Sequence, residues 1–300
     1  MKKLLSFGEI IFDICDGEAT LGGAPLNLAL HTAKFGLPSY ILSAVGNDRL
    51  GDTAIEQISA LGVGCELIER NSYPTGFCTV RLDKEGVPSY EIAEGVAYGK
   101  IEPRPESFQK IDEISPDILY FGTLIQKDEV SRNTLDLLIN NYKFEQIVCD
   151  INLRKNCYTK ETVERCLSLA SILKLSDGEV LELISLGIIP PEASACEALL
   201  SHLFESYPSI RLIILTKGED GSVIARNDGK RYTFPAVRRE VVSTVGAGDA
   251  YLGAFLAVYL SGAPIDRAGA VASEVAGFTV SRKEAVPHYT VSGGEPCFPS

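Results

Sequence analysis

The stretch LLSFGEIIFDICDGEATLGGAPLNLALHTAKF, residues 4–35, decides the fold. Residues 4–14 are apolar and rich in β-formers, as a buried strand is. The pair Gly22-Gly23 then opens a segment, 25–35, in which Leu26, Ala29, Leu30 and Ala33 recur at helical spacing. Pro25 suits a first helical turn, and Gly36 suits the stop. Residues 40–45 read as a second strand, so the opening is strand, helix, strand. Outward from there the rhythm repeats. A helix is expected over 52–61, ending before Gly62, then a strand at 117–121, a helix at 128–142 and a strand at 146–149. Beyond these come a helix at 160–170, a strand at 171–175, and helices at 178–186 and 196–206. A strand at 210–215 is apolar except for Arg211, as a strand covered on both faces would be. Alternation of this kind predicts a mostly parallel sheet wrapped by helices.

Residues 65–98 break the rhythm with short β-rich runs at 77–82 and 89–93, joined by the turn Asp83-Lys84-Glu85-Gly86. Such a hairpin is either an edge extension of the sheet or a lid that excludes water. No repeat, low-complexity tract or Pro/Ser-rich linker divides the chain, so one domain over 1–300 is expected, with a small appended sheet. Forty acidic against 28 basic residues give a net charge of −12, which excludes a broad phosphate-neutralising face for nucleic acid. It leaves room for a nucleotide, which needs only a few local donors. The longest apolar run, 250–260, is far shorter than the ~20 residues of a membrane span. The eight cysteines form no CxxC pair and read as reduced packing thiols, which together with the absence of a targeting segment predicts a cytoplasmic protein.

Two glycine-bearing helix starts concentrate the chemistry. Ser243-Thr244-Val245-Gly246-Ala247-Gly248-Asp249 precedes a helix reaching about residue 260. A Gly/Ala turn lets backbone N–H groups approach a ligand at the positive end of a helix, where anions bind. Asp249 would repel an anion unless it serves as a base for a hydroxyl attacking a phosphoryl group. Read alone, the stretch is also what a tight turn with a first-turn acid looks like. The second start, Gly22-Gly23-Ala24-Pro25-Leu26-Asn27, offers close backbone approach and an amide side chain. Asp13, near the end of the first strand, adds an acceptor for a sugar hydroxyl at the sheet end where open parallel sheets bind ligands. Read alone, this start is also an ordinary helix beginning.

Together and in order, the two stretches resemble the signatures of the ribokinase-like (PfkB) family of carbohydrate kinases, over about residues 4–287. Phe7-Gly8-Glu9, Val45-Gly46-Asn47-Asp48, Pro74-Thr75-Gly76, Tyr90-Glu91-Ile92 and Phe121-Gly122-Thr123-Leu124 look most like the bacterial fructokinase branch. The resemblance implies a three-layer α/β/α sandwich with a mostly parallel central sheet and a small β-sheet lid, formed by about 12–20 and 65–98. It implies ATP and Mg2+, a sugar substrate, most closely D-fructose phosphorylated at its 6-hydroxyl, and a homodimer through the lid. Asp249 becomes the catalytic base, and the backbone of Gly246, Ala247 and Gly248 the anion hole. Asp13, Gly22, Gly23 and Asn27 would hold the sugar, and Arg154, from Asp150-Ile151-Asn152-Leu153-Arg154, would reach phosphate or sugar. Thr216, Gly218 and Gly221 would form the nucleotide-side turn.

Three positions depart from the family pattern. Ser176 stands for the first amide of an Asn-x-x-Glu motif that keeps Glu179, the expected magnesium residue, and a water would span the gap at Ser176. Ser243 replaces an acid that serves a monovalent cation in family members, which puts K+ activation in question. Glu284 places a carboxylate near the expected adenine edge. His31, one turn after Asn27, is expected on the helix surface, with substrate contact as the alternative; His202 and His288 lack metal-ligand neighbours. Rival readings are a kinase of ribose, 2-keto-3-deoxygluconate or a nucleoside, and a weakly catalytic sugar-binding relative. A dinucleotide oxidoreductase is disfavoured, since no G-x-G-x-x-G follows the first strand.

Overall fold

A computed structural model describes residues 1–15, 17–82 and 88–299. In chain order its elements begin β1 (Leu4–Phe7), β2 (Ile11–Cys15), β3 (Glu18–Gly22), α1 (Ala24–Lys34), β4 (Ser39–Gly46) and α2 (Arg49–Ala60). There follow β5 (Ile68–Asn71), β6 (Gly76–Leu82), β7 (Pro88–Ile92), α3 (Pro105–Ile114), β8 (Ile118–Gly122), α4 (Glu129–Asn141) and β9 (Gln146–Asp150). Next are α5 (Lys160–Leu169), β10 (Ile172–Ser176), α6 (Asp177–Ser185), α7 (Cys196–Ser206), β11 (Leu212–Thr216), β12 (Ser222–Arg226) and β13 (Arg231–Phe234). The chain closes with α8 (Ala247–Leu260), α9 (Ile265–Thr279), β14 (Thr290–Ser292) and β15 (Glu295–Cys297).

The main sheet runs β13-β12-β11-β10-β9-β8-β1-β4-β5. It is parallel from β11 to β5 and turns antiparallel only at β12 and β13. Alternate residues of one strand serve opposite faces, as the period of two requires. In β8, Leu119 and Phe121 join the core under α3–α7, while Ile118 and Tyr120 join the core under α1, α8 and α9. In β11, Ile213 and Leu215 face the first of these and Leu212 and Ile214 the second. The result is the expected α/β/α sandwich.

A second sheet, β3-β2-β6-β7, stands apart from the first. The expectation of one strand over 4–14 is corrected here: β1 enters the main sheet and β2 the second, so Asp13 lies outside the main sheet. The break falls at Gly8, whose φ of 154° and contact with Pro25 suit only glycine; a Cβ there would lie 2.5 Å from Pro25 Cγ. The two β-rich runs after residue 65 do form an antiparallel pair, β6 and β7, while their connecting turn at Asp83-Lys84-Glu85-Gly86 lies outside the described residues. Among the described residues no helix is long and apolar enough to cross a membrane.

Candidate active site

Strands β9, β10 and β11 run parallel and end together at Asp150, Ser176 and Thr216, and Ser176 and Thr216 are direct register partners. The first turn of α8 begins at Gly246, in the left-handed region at φ 78°. A Cβ there would lie 2.5 Å from Ala285 Cβ, so both conformation and packing demand glycine. The Ala247 N–H donates to Thr244 O at 3.3 Å and that of Ala250 to Gly246 O at 2.8 Å. The amides of Gly246, Gly248 and Asp249 donate to no acceptor among the described residues. Free donors at this helix end are what an anion needs; of the three expected amides, those of Gly246 and Gly248 are free, while that of Ala247 is used within the turn.

Asp249 is half-buried, and its Oδ2 accepts from Asn27 Nδ2 at 2.9 Å. This bond joins the two glycine-bearing helix starts across 222 residues of sequence. Burial raises the Asp249 pKa, against the Asn27 hydrogen bond and the charges of Lys174 and Arg154, which lower it. Asn27 is itself buried, and its Oδ1 has no partner among the described residues. Gly23, at φ 113°, lets α1 begin against β1's exit: a Cβ would lie 2.4 Å from Glu9 O. Gly22 adjoins Asp13, whose Oδ2 would lie 3.7 Å from a Cβ on it. Asp13 pairs with Thr20 and Cys78 in the second sheet. Burial raises its pKa and Arg154 lowers it. The charge of the exposed Arg154, on the loop after β9, thus acts on both Asp13 and Asp249.

On the other side, Ser176 and Glu179 form a capping box at the start of α6. Glu179 Oε2 accepts from the Ser176 N–H at 2.7 Å and from Ser176 Oγ at 2.9 Å, while its Oε1 accepts from the Leu153 N–H at 2.9 Å. The Ser176 hydroxyl is therefore spent within the chain. Thr216, Gly218 and Gly221 form the β11–β12 turn, with Gly221 at φ 84° pressed against Phe234 O. The donor chemistry suits a magnesium ion that arrives with phosphates. Among the described residues no three acidic, His or Cys side chains cluster to hold a metal alone, and Glu179 supplies one half-buried carboxylate.

His31 is neither a surface group nor at the sugar side. It is fully buried, with Nδ1 2.8 Å from Tyr289 Oη and Nε2 3.0 Å from Ala285 O, because α1 is covered by the segment after α9. Burial pushes its pKa down to about 4. Two further features carry no role in the sequence reading, although Glu9 and Asp150 stand in motifs quoted above. Glu9 is buried with its Oε2 unpartnered among the described residues, and burial pushes its carboxyl up to about 7. Lys174 and Asp150 form a buried ion pair, with Nζ 2.9 and 2.8 Å from the two carboxylate oxygens. A charged residue in an otherwise apolar strand was the available signal for Lys174.

The model of the pfkB family of carbohydrate kinases matches residues 2–289. The chain belongs to that family. It is 26% identical to the uncharacterized sugar kinase PH1459 of Pyrococcus horikoshii, with 94% of this chain and 91% of that one aligned. The structure of PH1459 in complex with ATP superposes with a TM-score of 0.78, covering 94% of each chain. Similarity extends to a nucleoside kinase of Methanothermobacter thermautotrophicus (27% identity, 91% and 85% covered) and a fructokinase of Klebsiella pneumoniae (25%, 91% and 90%).

Within this carbohydrate kinase, two of the fructokinase-like motifs meet as a structural joint. Asp48 Oδ1 accepts from the Gly51 N–H at 2.8 Å and from Thr75 Oγ1 at 2.6 Å, and its Oδ2 accepts from the Thr75 N–H at 2.8 Å. The Gly46 N–H donates to Thr75 Oγ1 at 2.9 Å. The joint ties the end of β4 to the start of β6, and so sets where the second sheet stands relative to the first.

Proposed function

We propose that this kinase transfers the γ-phosphoryl group of ATP to a sugar hydroxyl, D-fructose at its 6-position, with Asp249 as general base. The observation that carries the reading is the Asn27–Asp249 hydrogen bond, which sets the sugar-side helix start against the carboxylate that must take the hydroxyl proton. The buried, unpartnered Asn27 Oδ1 leaves an acceptor for a second hydroxyl. Asp13 accepts from the sugar, and Gly22 and Gly23 give it backbone-close approach. As the new P–O bond forms, the proton passes to Asp249 Oδ and ADP carries away the other bond's electrons. The amides of Gly246, Gly248 and Asp249, with Arg154, receive the charge that builds on the phosphoryl oxygens. Thr216, Gly218 and Gly221 face the nucleotide, with Ser176 beside Thr216. Magnesium held on the water side of Glu179 would supply neutralisation of the phosphates.

The second sheet carries Asp13 and acts as a lid that keeps water from ATP. Its edge strand β3 is exposed from Glu18 to Thr20, and pairing of two such sheets about a two-fold axis would give a homodimer. The choice of fructose rests on the motif likeness and on the fructokinase relative. The nucleoside kinase relative supports a second reading, a kinase of another small molecule.

The test is ADP release across fructose, ribose, glucose, 2-keto-3-deoxygluconate and adenosine, with and without potassium. Fructose should turn over fastest; equal or faster turnover of another acceptor overturns the assignment. Asp249→Asn should lose about 10²–10⁴-fold in kcat. Retention of more than a tenth of the parent rate would remove Asp249 as the base.

A further inference from the structure

Lys174 is the one charged residue of β10, whose other core-facing positions are apolar. In β10, Leu173 and Leu175 serve the core under α3–α7, and Ile172 serves the core under α8. By the period of two, Lys174 falls on the α8 side, where its register partner in β11 is Ile214. Its other register partner, in β9, is Asp150, and both charges are sealed in, at 5% and 1% exposure. A buried ion pair is generally no more stabilising than apolar residues of the same volume, so stability alone does not account for the pair. Its location does. A Cβ on Gly248 would lie 3.1 Å from Lys174 Nζ, so the ammonium lies directly beneath the first turn of α8.

We propose that Lys174 is a positioning residue for phosphoryl transfer: its ammonium, fixed by Asp150, supplies the positive charge under the first turn of α8 on which Asp249 and the anion-receiving amides depend. This rests on the reading of Asp249 as the base. A side chain on Gly248 would crowd the ammonium, which would have to give by a few tenths of an ångström. The cation stays charged: burial lowers the Lys174 pKa, but Asp150, Glu179 and Asp249 together raise it above its ordinary value. The other groups facing Asp249 are Asn27 from α1, Arg154 and Asp150 from β9 and its loop, Tyr120 from β8, and Glu9 from the exit of β1. Of these, Arg154 is the other cation, and it is exposed where Lys174 is dry.

The test titrates the Asp249 carboxyl by NMR of selectively 13C-labelled protein, assigned with Asp249→Asn, alongside the pH dependence of kcat. In K174M the Asp249 pKa should rise by about one unit, a tenfold gain in proton affinity. The acidic limb of kcat should move to higher pH by the same amount, with KM for ATP within about threefold of the parent. Because K174M leaves Asp150 buried and unpaired, the double variant K174M/D150N is the form expected to fold, and its Asp249 pKa should lie about one unit above that of D150N, which lacks the same carboxylate. D150N alone keeps the ammonium and should not raise the Asp249 pKa. An Asp249 titration in K174M/D150N that coincides with that of D150N overturns the proposal, as does a fall in kcat that is uniform with pH. The two possible failures separate: a parent that releases no ADP with any acceptor strikes at the kinase reading of the site, whereas an unmoved Asp249 in an active enzyme strikes at Lys174.

Discussion

Gly253→Ala tests whether the spacing of α1 and α8 holds the site together. Gly253 lies in the middle of α8, where α1 crosses. A Cβ on it would lie 2.7 Å from His31 Cβ and 3.1 Å from Leu28 O. Neither neighbour can swing aside, since one is backbone and the other is the root of a side chain fixed by Tyr289 and Ala285. Ordinary contact begins near 3.4 Å, so α1 must retreat by roughly 0.7 Å. Two effects then oppose. Alanine gains about 1 kcal/mol of helix propensity over glycine. Overpacking costs about 1–3 kcal/mol. The net expectation is a loss near 1 kcal/mol, or a Tm lower by about 2–4 °C. Asn27 lies one turn before His31 on the same face of α1, so the same retreat would stretch its 2.9 Å bond to Asp249 past the hydrogen-bond limit of ~3.5 Å. Misplacement of that size is expected to cost on the order of 10²-fold in kcat. KM for ATP should hold, since the proposed nucleotide side stands on β10 and β11. Thermal melts and steady-state ADP release measure both effects. A variant that melts higher than the parent refutes the packing argument, and one that melts lower with undiminished kcat refutes the link from helix spacing to Asp249.

Asn27→Asp sets a second carboxylate against Asp249, and two such groups in one site cannot both ionise. The acidic limb of kcat should move up by more than one pH unit; an unmoved limb contradicts the contact. Glu9→Gln tests a pH-dependent cost. The folded pKa of Glu9 is about 7 against an ordinary 4.5, so its contribution to stability is full below 4.5 and is lost as pH rises through 7. The Tm of the variant relative to the parent should therefore climb between pH 4.5 and 7 and then level off, and a flat difference would show that Glu9 is not buried as described. For Asp48, burial would raise the pKa, but the hydrogen bonds from Thr75 and Gly51 and the charge of Arg70 bring it below the ordinary 3.8. Its stabilisation is present above 3.8 and is lost as pH falls through the folded value. Asp48→Asn should thus melt lower than the parent at pH 7, with the gap closing as the pH falls below 4; a gap that persists in acid would assign the loss to shape rather than charge.

Most strands and helices of the sandwich are legible because one-dimensional periodicity records which side meets water. The helix at Cys196–Ser206 falls where the pattern of Leu199, Leu200 and Leu203 places it. What periodicity does not record is which sheet a strand joins. Residues 4–14 are mostly apolar and read as one strand, yet they divide between two sheets at Gly8, because β2 finds its hydrogen-bond partners in β3 and β6 rather than beside β1. Asp13, expected at the end of a main-sheet strand, therefore lies in the second sheet. His31 failed for a related reason: the residues that bury it, Ala285 and Tyr289, lie more than 250 positions away.

The site divides along the same line. Gly246, Gly248 and Asp249 can be found in the sequence because small residues in immediate succession at a helix start let backbone come close to a ligand. The pairing of Lys174 with Asp150 cannot, because only the parallel register of β9 and β10 sets the two charges side by side. A lone lysine in a strand normally reads as the exposed side of an edge. Here both faces of β10 are covered, so the lysine can be charged only if a carboxylate shares its burial, and Asp150 is that carboxylate. The net charge of −12 bears on this too. A chain with so acidic a surface gathers no phosphate by long-range attraction, so the positive potential at the site must come from within: helix amides, Arg154 at the rim, and one cation beneath the turn where the new charge would form.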